Sequence, residues 1–227
     1  MLASFAAAAI FQLTPIGLAA DNTLTAAEKK AGWQLLFDGK STKGWHNFRA
    51  KGVGPGWVVE KGVLKTVDPG TAGDIVTDKM FSWFELTLDF NYEKGQNSGI
   101  LFHVQDESDA VWHSGPEIQI YDHPFQEGVQ TTGFLYELYT AKKDASKPAG
   151  QWNSFRIIVS KKKCETYLNG VKLYEYVLGS ADFKARVAKS KFGEMPFFAT
   201  KQVGRIGIQG DHGKVSFKNI KIKPLKG

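Results

Sequence analysis

The chain of 227 residues has one cysteine, Cys164, so it can form neither an internal disulfide nor a cysteine-based zinc site. It has no P-loop, no GxGxxG between a strand and a helix, and no GxSxG elbow, which removes the common nucleotide-binding and serine-hydrolase frameworks. Apolar spacing at the helical period almost disappears after Gly32. Acidic charge is in modest deficit: 29 Lys and Arg against 23 Asp and Glu give a net +6. The excess does not read as a nucleic-acid groove. Lys214, Lys218, Lys221, Lys223 and Lys226 are interleaved with apolar residues, as on the solvated side of a terminal strand. What the chain does have is 42% hydrophobic residues, 16 Phe and six Trp. That content is too high for a disordered chain, and the length is enough for one domain with a real core.

Residues 1–20 carry no charged side chain and end in small residues before Asp21, the pattern of a secretory signal peptide. The apolar stretch is short and broken by Gln12, Thr14 and Pro15, so no membrane span is expected there. The reading is a cleaved leader, a single domain over residues 21–227, and a periplasmic or secreted protein.

Thr25 and Glu28 form a capping box before a glycine stop at Gly32, predicting one short helix. Strands dominate afterwards. Residues 57–60 and 63–66 flank the turn Lys61-Gly62, and residues 164–168 and 171–174 flank Asn169-Gly170, a strong hairpin signal. From Phe84 to Tyr92 apolar residues alternate with Glu85, Thr87, Asp89 and Asn91, which marks a half-buried antiparallel strand. Further strands are predicted at 98–105, 116–121, 154–160, 205–209 and 214–223, with a short helix within 180–191. In the last strand Val215 and Phe217 are out of phase with Ile220 and Ile222, which predicts a bulge at Lys218-Asn219. Closely spaced strands without βα alternation give an all-β, two-sheet antiparallel sandwich.

Alternation also selects candidate site residues. With Ile118 and Ile120 in the core, Glu117, Gln119 and Tyr121 face away. The same rule turns His103 and Gln105 outward, and Arg205 and Gln209 likewise. Such faces would floor a groove for a ligand rich in hydroxyls, with Trp112 and Trp45 as stacking platforms. Glu117 and Asp122 would share a side only if a bulge intervened. His212, in the turn Gly210-Asp211-His212-Gly213, is a candidate acid, base or metal ligand, although the histidine spacings match no standard zinc pattern.

Several segments in order resemble those of one family: Leu36-Phe37-Asp38-Gly39-Lys40 with Gly44-Trp45, Asn97-Ser98-Gly99-Ile100, Gly115-Pro116-Glu117-Ile118-Gln119-Ile120-Tyr121-Asp122, Leu168-Asn169-Gly170 and Ile208-Gln209-Gly210-Asp211-His212-Gly213. The family is the 3-keto-disaccharide hydrolases. The resemblance implies a jelly-roll sandwich of the concanavalin A-like lectin and glucanase type. It also implies cleavage of a glycoside already oxidised at C3. A C3 ketone acidifies the C2 hydrogen, so a base can remove it, the C1 aglycone leaves by elimination, and water adds back. On that reading Glu117 or His212 is the base, and Asp122 or the other of the pair is the acid. A divalent cation, His103 or Arg205 would stabilise the enolate, with Asn97, Gln119 and Gln209 on sugar hydroxyls. Two alternatives stand beside it. A retaining glucanase would need Glu-x-Asp-x-x-Glu where this chain has Glu117-x-Gln119-x-x-Asp122, and a carbohydrate-binding module would bind without turnover.

Overall fold

The computed structural model describes residues 20–226. The leader expected at residues 1–20 lies outside the described residues except for Ala20. Among the described residues the strands are β1 (Gln34–Leu35), β2 (Trp45–Asn47), β3 (Trp57–Glu60), β4 (Val63–Thr66), β5 (Ile75–Phe81), β6 (Phe84–Tyr92), β7 (Asn97–Val104), β8 (Glu117–Tyr121), β9 (Asn153–Val159), β10 (Cys164–Leu168), β11 (Val171–Tyr176), β12 (Gly204–Ile208) and β13 (Val215–Pro224). They form two antiparallel sheets. The larger runs β11-β10-β9-β6-β13-β4-β3, with β1 also paired to β13, and the smaller runs β2-β5-β12-β7-β8. This is the expected jelly-roll sandwich. Three short helices, α1 (Ala26–Lys30), α2 (Pro69–Ala72) and α3 (Ala181–Lys189), sit in the connections. No helix of the described residues is long and apolar enough to cross a membrane.

Local chemistry accounts for most of these elements. Thr25 Oγ1 accepts the Glu28 N–H at 3.1 Å and Glu28 Oε2 accepts the Thr25 N–H at 2.7 Å, which closes the capping box of α1. The β3–β4 and β10–β11 hairpins turn at Lys61-Gly62 (φ 50° and 81°) and Asn169-Gly170 (φ 49° and 79°), the left-handed pairs their tight turns require. In β6 the alternating residues Phe84, Leu86, Leu88, Phe90 and Tyr92 are all buried. The β13 bulge is present as well. Its register with β6 slips between Lys218 and Lys221, and Asn219 takes φ 54°, so that Val215, Phe217, Ile220 and Ile222 all reach the core.

The smaller sheet departs from simple alternation at two places. Opposite β12, residues Arg205 and Gly207 pair with Met80 and Val76 of β5, and with Val104 and Leu101 of β7. Both neighbours therefore carry extra residues across the same short span. In β7 the excess is absorbed at His103, whose φ is 55°. This irregularity breaks the pattern of β5, which sequence periodicity did not reveal.

Side chains of both sheets interdigitate in one core in which Phe90 stacks on Phe155 at 4.6 Å. Truncating a fully enclosed ring removes its transfer energy and leaves a cavity. Phe90→Ala should cost about 3–5 kcal/mol in a denaturant titration, and a loss under about 1 kcal/mol would contradict this packing.

Candidate active site

The ladder of the smaller sheet builds the cleft. β7 and β8 pair Leu101 with Glu117, Gly99 with Gln119 and Asn97 with Tyr121, so these residues share the face turned away from the core. Gln209, just past β12, donates its N–H to Gly99 O at 3.0 Å and takes the opposite flank. Gly99 thus lies between two glutamines. A Cβ at Gly99 would collide with the Glu117 carboxylate, so the missing side chain is what lets that carboxylate lie on the floor. Gln119 Nε2 donates to Asn97 Oδ1 at 2.5 Å. Gln209 Oε1 is buried without a partner among the described residues, leaving an acceptor for a hydroxyl. The cleft holds about 200 Å³ and is completed by Trp112, Tyr136, Lys191 and His212.

His212 reaches the cleft from a turn clamped at both ends. Side chains at Gly210 or Gly213 would strike Gly73 O and Trp57, or the Asn97 backbone. The Gly210 N–H donates to Asp74 Oδ1 at 3.0 Å, and His212 Nδ1 is hydrogen-bonded to Asp211 Oδ1. That bond leaves Nε2 free for chemistry. Asp74 sits behind this pair, its pKa pushed up by burial and by the charge of Asp211.

Glu117 is 6% exposed. Burial, then the negative charges of Asp74 and Asp211, raise its pKa to about 8 against the opposing pull of Lys191. Its carboxyl receives no hydrogen bond among those effects. At neutral pH it is mostly a carboxylic acid, in the same polar cleft as the His212 imidazole.

Of the expected site residues, Asn97, Trp112, Glu117, Gln119, Gln209 and His212 converge on this one cleft. Four others, His103, Arg205, Asp122 and Trp45, stand elsewhere. His103 is 1% exposed, with Nε2 2.6 Å from Ser82 O and its ring against Trp83, Phe84 and Phe102; the bulge, not alternation, sets its direction. Burial lowers its pKa. Arg205, at the same irregularity, is spent on Asp106 (2.6 and 2.7 Å) and on the carbonyls of Thr77 and Asp78. Asp122 follows the end of β8 with no bulge to return it, and its Oδ2 accepts the Gly95 N–H at 2.7 Å. Trp45 is a core residue whose Nε1 donates to Leu36 O. Sequence reading missed Asp74, Tyr136 and Lys191, which lie in segments without periodicity.

Among the described residues no three His, Cys, Asp or Glu side chains converge as a metal's ligand set would.

Fold and cleft together define a jelly-roll domain with a polar cleft on the outer face of its smaller sheet. Residues 32–223 match the 3-keto-alpha-glucoside-1,2-lyase-like domain family, and the chain belongs to it. It is 28% identical to a 3-keto-disaccharide hydrolase of Bacteroides thetaiotaomicron, over 86% of this chain and 79% of that protein. A crystal structure from Parabacteroides distasonis, provisionally described as a glycosyl hydrolase, superposes with a TM-score of 0.83 at 35% identity, covering 91% of this chain and 100% of that one. The carbohydrate-binding module CBM66 of Bacillus subtilis shares the fold alone (TM-score 0.50, 12% identity, 79% of this chain and 95% of that one).

An acid held neutral by burial also affects stability. The folded state keeps the Glu117 proton up to about pH 8, whereas an unfolded glutamate releases it near 4.5. The contribution is complete below 4.5 and is lost as pH rises to 8. Glu117→Gln, neutral at every pH, should therefore melt above the wild type by a margin that grows across this window. Each kcal/mol amounts to roughly 2–4 °C for a domain of this size. A variant no more stable than wild type at pH 8 would contradict the assignment.

Proposed function

We propose that the protein cleaves 3-keto-glycosides by elimination and rehydration, with His212 as base and Glu117 as acid. The carrying observation is the buried Glu117 carboxyl, unionised at neutral pH and lining the same cleft as an imidazole whose Nδ1 is held by Asp211. A glutamate that stays protonated is suited to deliver a proton to a leaving oxygen. An imidazole anchored through Nδ1 presents Nε2 as a base.

In the proposed sequence, His212 Nε2 removes the C2 proton that the neighbouring ketone has acidified. The enolate then collapses, the C1–O bond breaks, and Glu117 gives its proton to the departing oxygen. Water adds to C1 of the resulting enone while the Glu117 carboxylate takes its proton, and His212 returns a proton to C2. The net change is hydrolysis, and both groups end as they began. Asn97, Gln119 and Gln209 orient the sugar by its hydroxyls, and Trp112 and Tyr136 offer ring faces at the cleft wall.

The placement of Asp122 favours this route over a retaining glucanase. The second carboxylate that such an enzyme would take from this strand is bonded to the Gly95 backbone instead. The same proposal has the protein working in a periplasm or outside the cell, where its one cysteine, Cys164, is buried away from oxidants.

The decisive comparison is a 3-oxidised disaccharide against its unoxidised parent. Only the keto form should be cleaved, with deuterium entering C2 in D₂O. Glu117→Gln and His212→Ala should each lower kcat by about 10²–10⁴-fold. Activity should fall as pH rises through about 8, where Glu117 loses its proton. A rate that instead climbs through that pH would make Glu117 the base. Cleavage of the parent would support the glucanase, and binding without cleavage of either sugar would leave a binding module.

A further inference from the structure

The segment after β11 closes one wall of the cleft. α3 is capped at its C-terminus by Ser190, whose Oγ accepts the Phe192 N–H at 3.2 Å and donates to Val187 O at 2.8 Å. A 3₁₀ turn, Lys191–Glu194, follows. Phe192, 2% exposed, stacks on Phe198 at 3.9 Å and meets the Tyr136 ring edge-on. The Ala199 N–H donates to Ser114 O at 2.9 Å, tying the segment to the loop that carries Trp112. These anchors fix the backbone of Lys191 at the cleft.

The Lys191 ammonium lies 4.7 Å from the centroid of Trp112 and 4.5 Å from that of Tyr136. Ring faces attract a cation without neutralising it, as a carboxylate would. Lys191 lines the same cleft as Glu117 and lowers that group's pKa through space. Asn97, Gln119 and Gln209 offer only uncharged amides, Tyr136 and Trp112 neutral donors, His212 is the base of the proposed reaction, and His103 and Arg205 are committed elsewhere.

We propose that Lys191 is a catalytic residue whose ammonium binds the C3 oxygen of the keto sugar and stabilises the enolate. The assignment rests on the 3-keto-glycoside reading above. When His212 takes the C2 proton, the C2–H electron pair moves into C2=C3 and the carbonyl pair shifts onto the C3 oxygen. The charge appears there, and a preorganised cation in a small cleft stabilises it far more than it stabilises the neutral ketone. As the carbonyl re-forms, the pair moves into C1=C2, and the C1–O pair leaves with the aglycone oxygen, protonated by Glu117. No bond to Lys191 forms at any stage.

The test uses the purified protein with a 3-oxidised disaccharide and compares wild type, Lys191→Met and Lys191→Arg. Lys191 is exposed, so neither change removes core packing. The methionine variant should lose about 10²–10³-fold in kcat and in the rate of C2 deuterium exchange, with KM within about threefold. Arginine, which keeps the charge, should recover at least about tenfold of that loss. Affinity for the unoxidised parent should be unchanged. A methionine variant with near wild-type kcat, or an effect on KM alone, would overturn the assignment. So would borohydride trapping of the sugar on Lys191, which would make it a nucleophile. Wild-type protein that neither cleaves nor exchanges the keto sugar would overturn the underlying reading and this assignment with it.

Discussion

Glu117 carries a carboxyl that its surroundings have desolvated without compensating, and the rest of the cleft depends on that imbalance. Glu85, on the larger sheet, shows the alternative. Burial alone would raise its pKa, but Lys223 at 2.7 Å and Arg156 at 2.6 Å more than offset it and hold the group below the usual carboxylate range. Both glutamates are under 10% exposed, although the Glu117 carboxyl lies the deeper of the two. What faces the carboxyl differs as well. Glu85 meets two cations at bonding distance, whereas Glu117 meets the negative potential of Asp74 and Asp211 and a more remote Lys191. An imbalance of this kind costs on the order of a few kcal/mol, a large share of a domain's net stability. Such a cost persists where function requires it.

The scaffold supplies the stability and the positioning. The aromatic core between the sheets leaves the outer face of the smaller sheet free to carry polar groups. Close approaches that only glycine allows then place them: Gly99 beneath the carboxyl, and Gly210 and Gly213 holding the His212 turn against Gly73, Trp57 and Asn97. On the far wall Phe192 and Phe198 join the α3 excursion to the main core, so the backbone of the lysine it carries is anchored by buried rings. Acid, imidazole and ammonium thus arrive from a strand, a turn and a helix-terminal segment. Each is positioned by packing that does not involve the other two.

Much of the fold was legible because its strands are half-buried and its hairpins tight. Alternation located β6 and oriented β8, and two left-handed turn pairs marked hairpins. The phase break at Lys218-Asn219 marked a real bulge. Arg205 keeps the outward phase that alternation gave it, with Ile206 and Ile208 in the core, but is spent on Asp106. The same rule misplaced His103, since a bulge shifts the phase without a sequence signal of its own. β5 was hidden for this reason as well. Of the cleft, the strand and turn residues could be read, because face and motif both pointed to them. Lys191, Tyr136 and Asp74 could not. Their places are set by contacts distant in sequence, and no local pattern encodes those.

The central claim is that the Glu117 carboxyl is a neutral acid in the folded protein. The most direct measurement is an infrared titration of the wild type with Glu117→Gln subtracted, so that a single carboxyl is followed with pH. The account predicts a protonated C=O band that persists through neutrality and gives way to carboxylate near pH 8. A band that disappears near 4.5, as for a solvated glutamate, would contradict it.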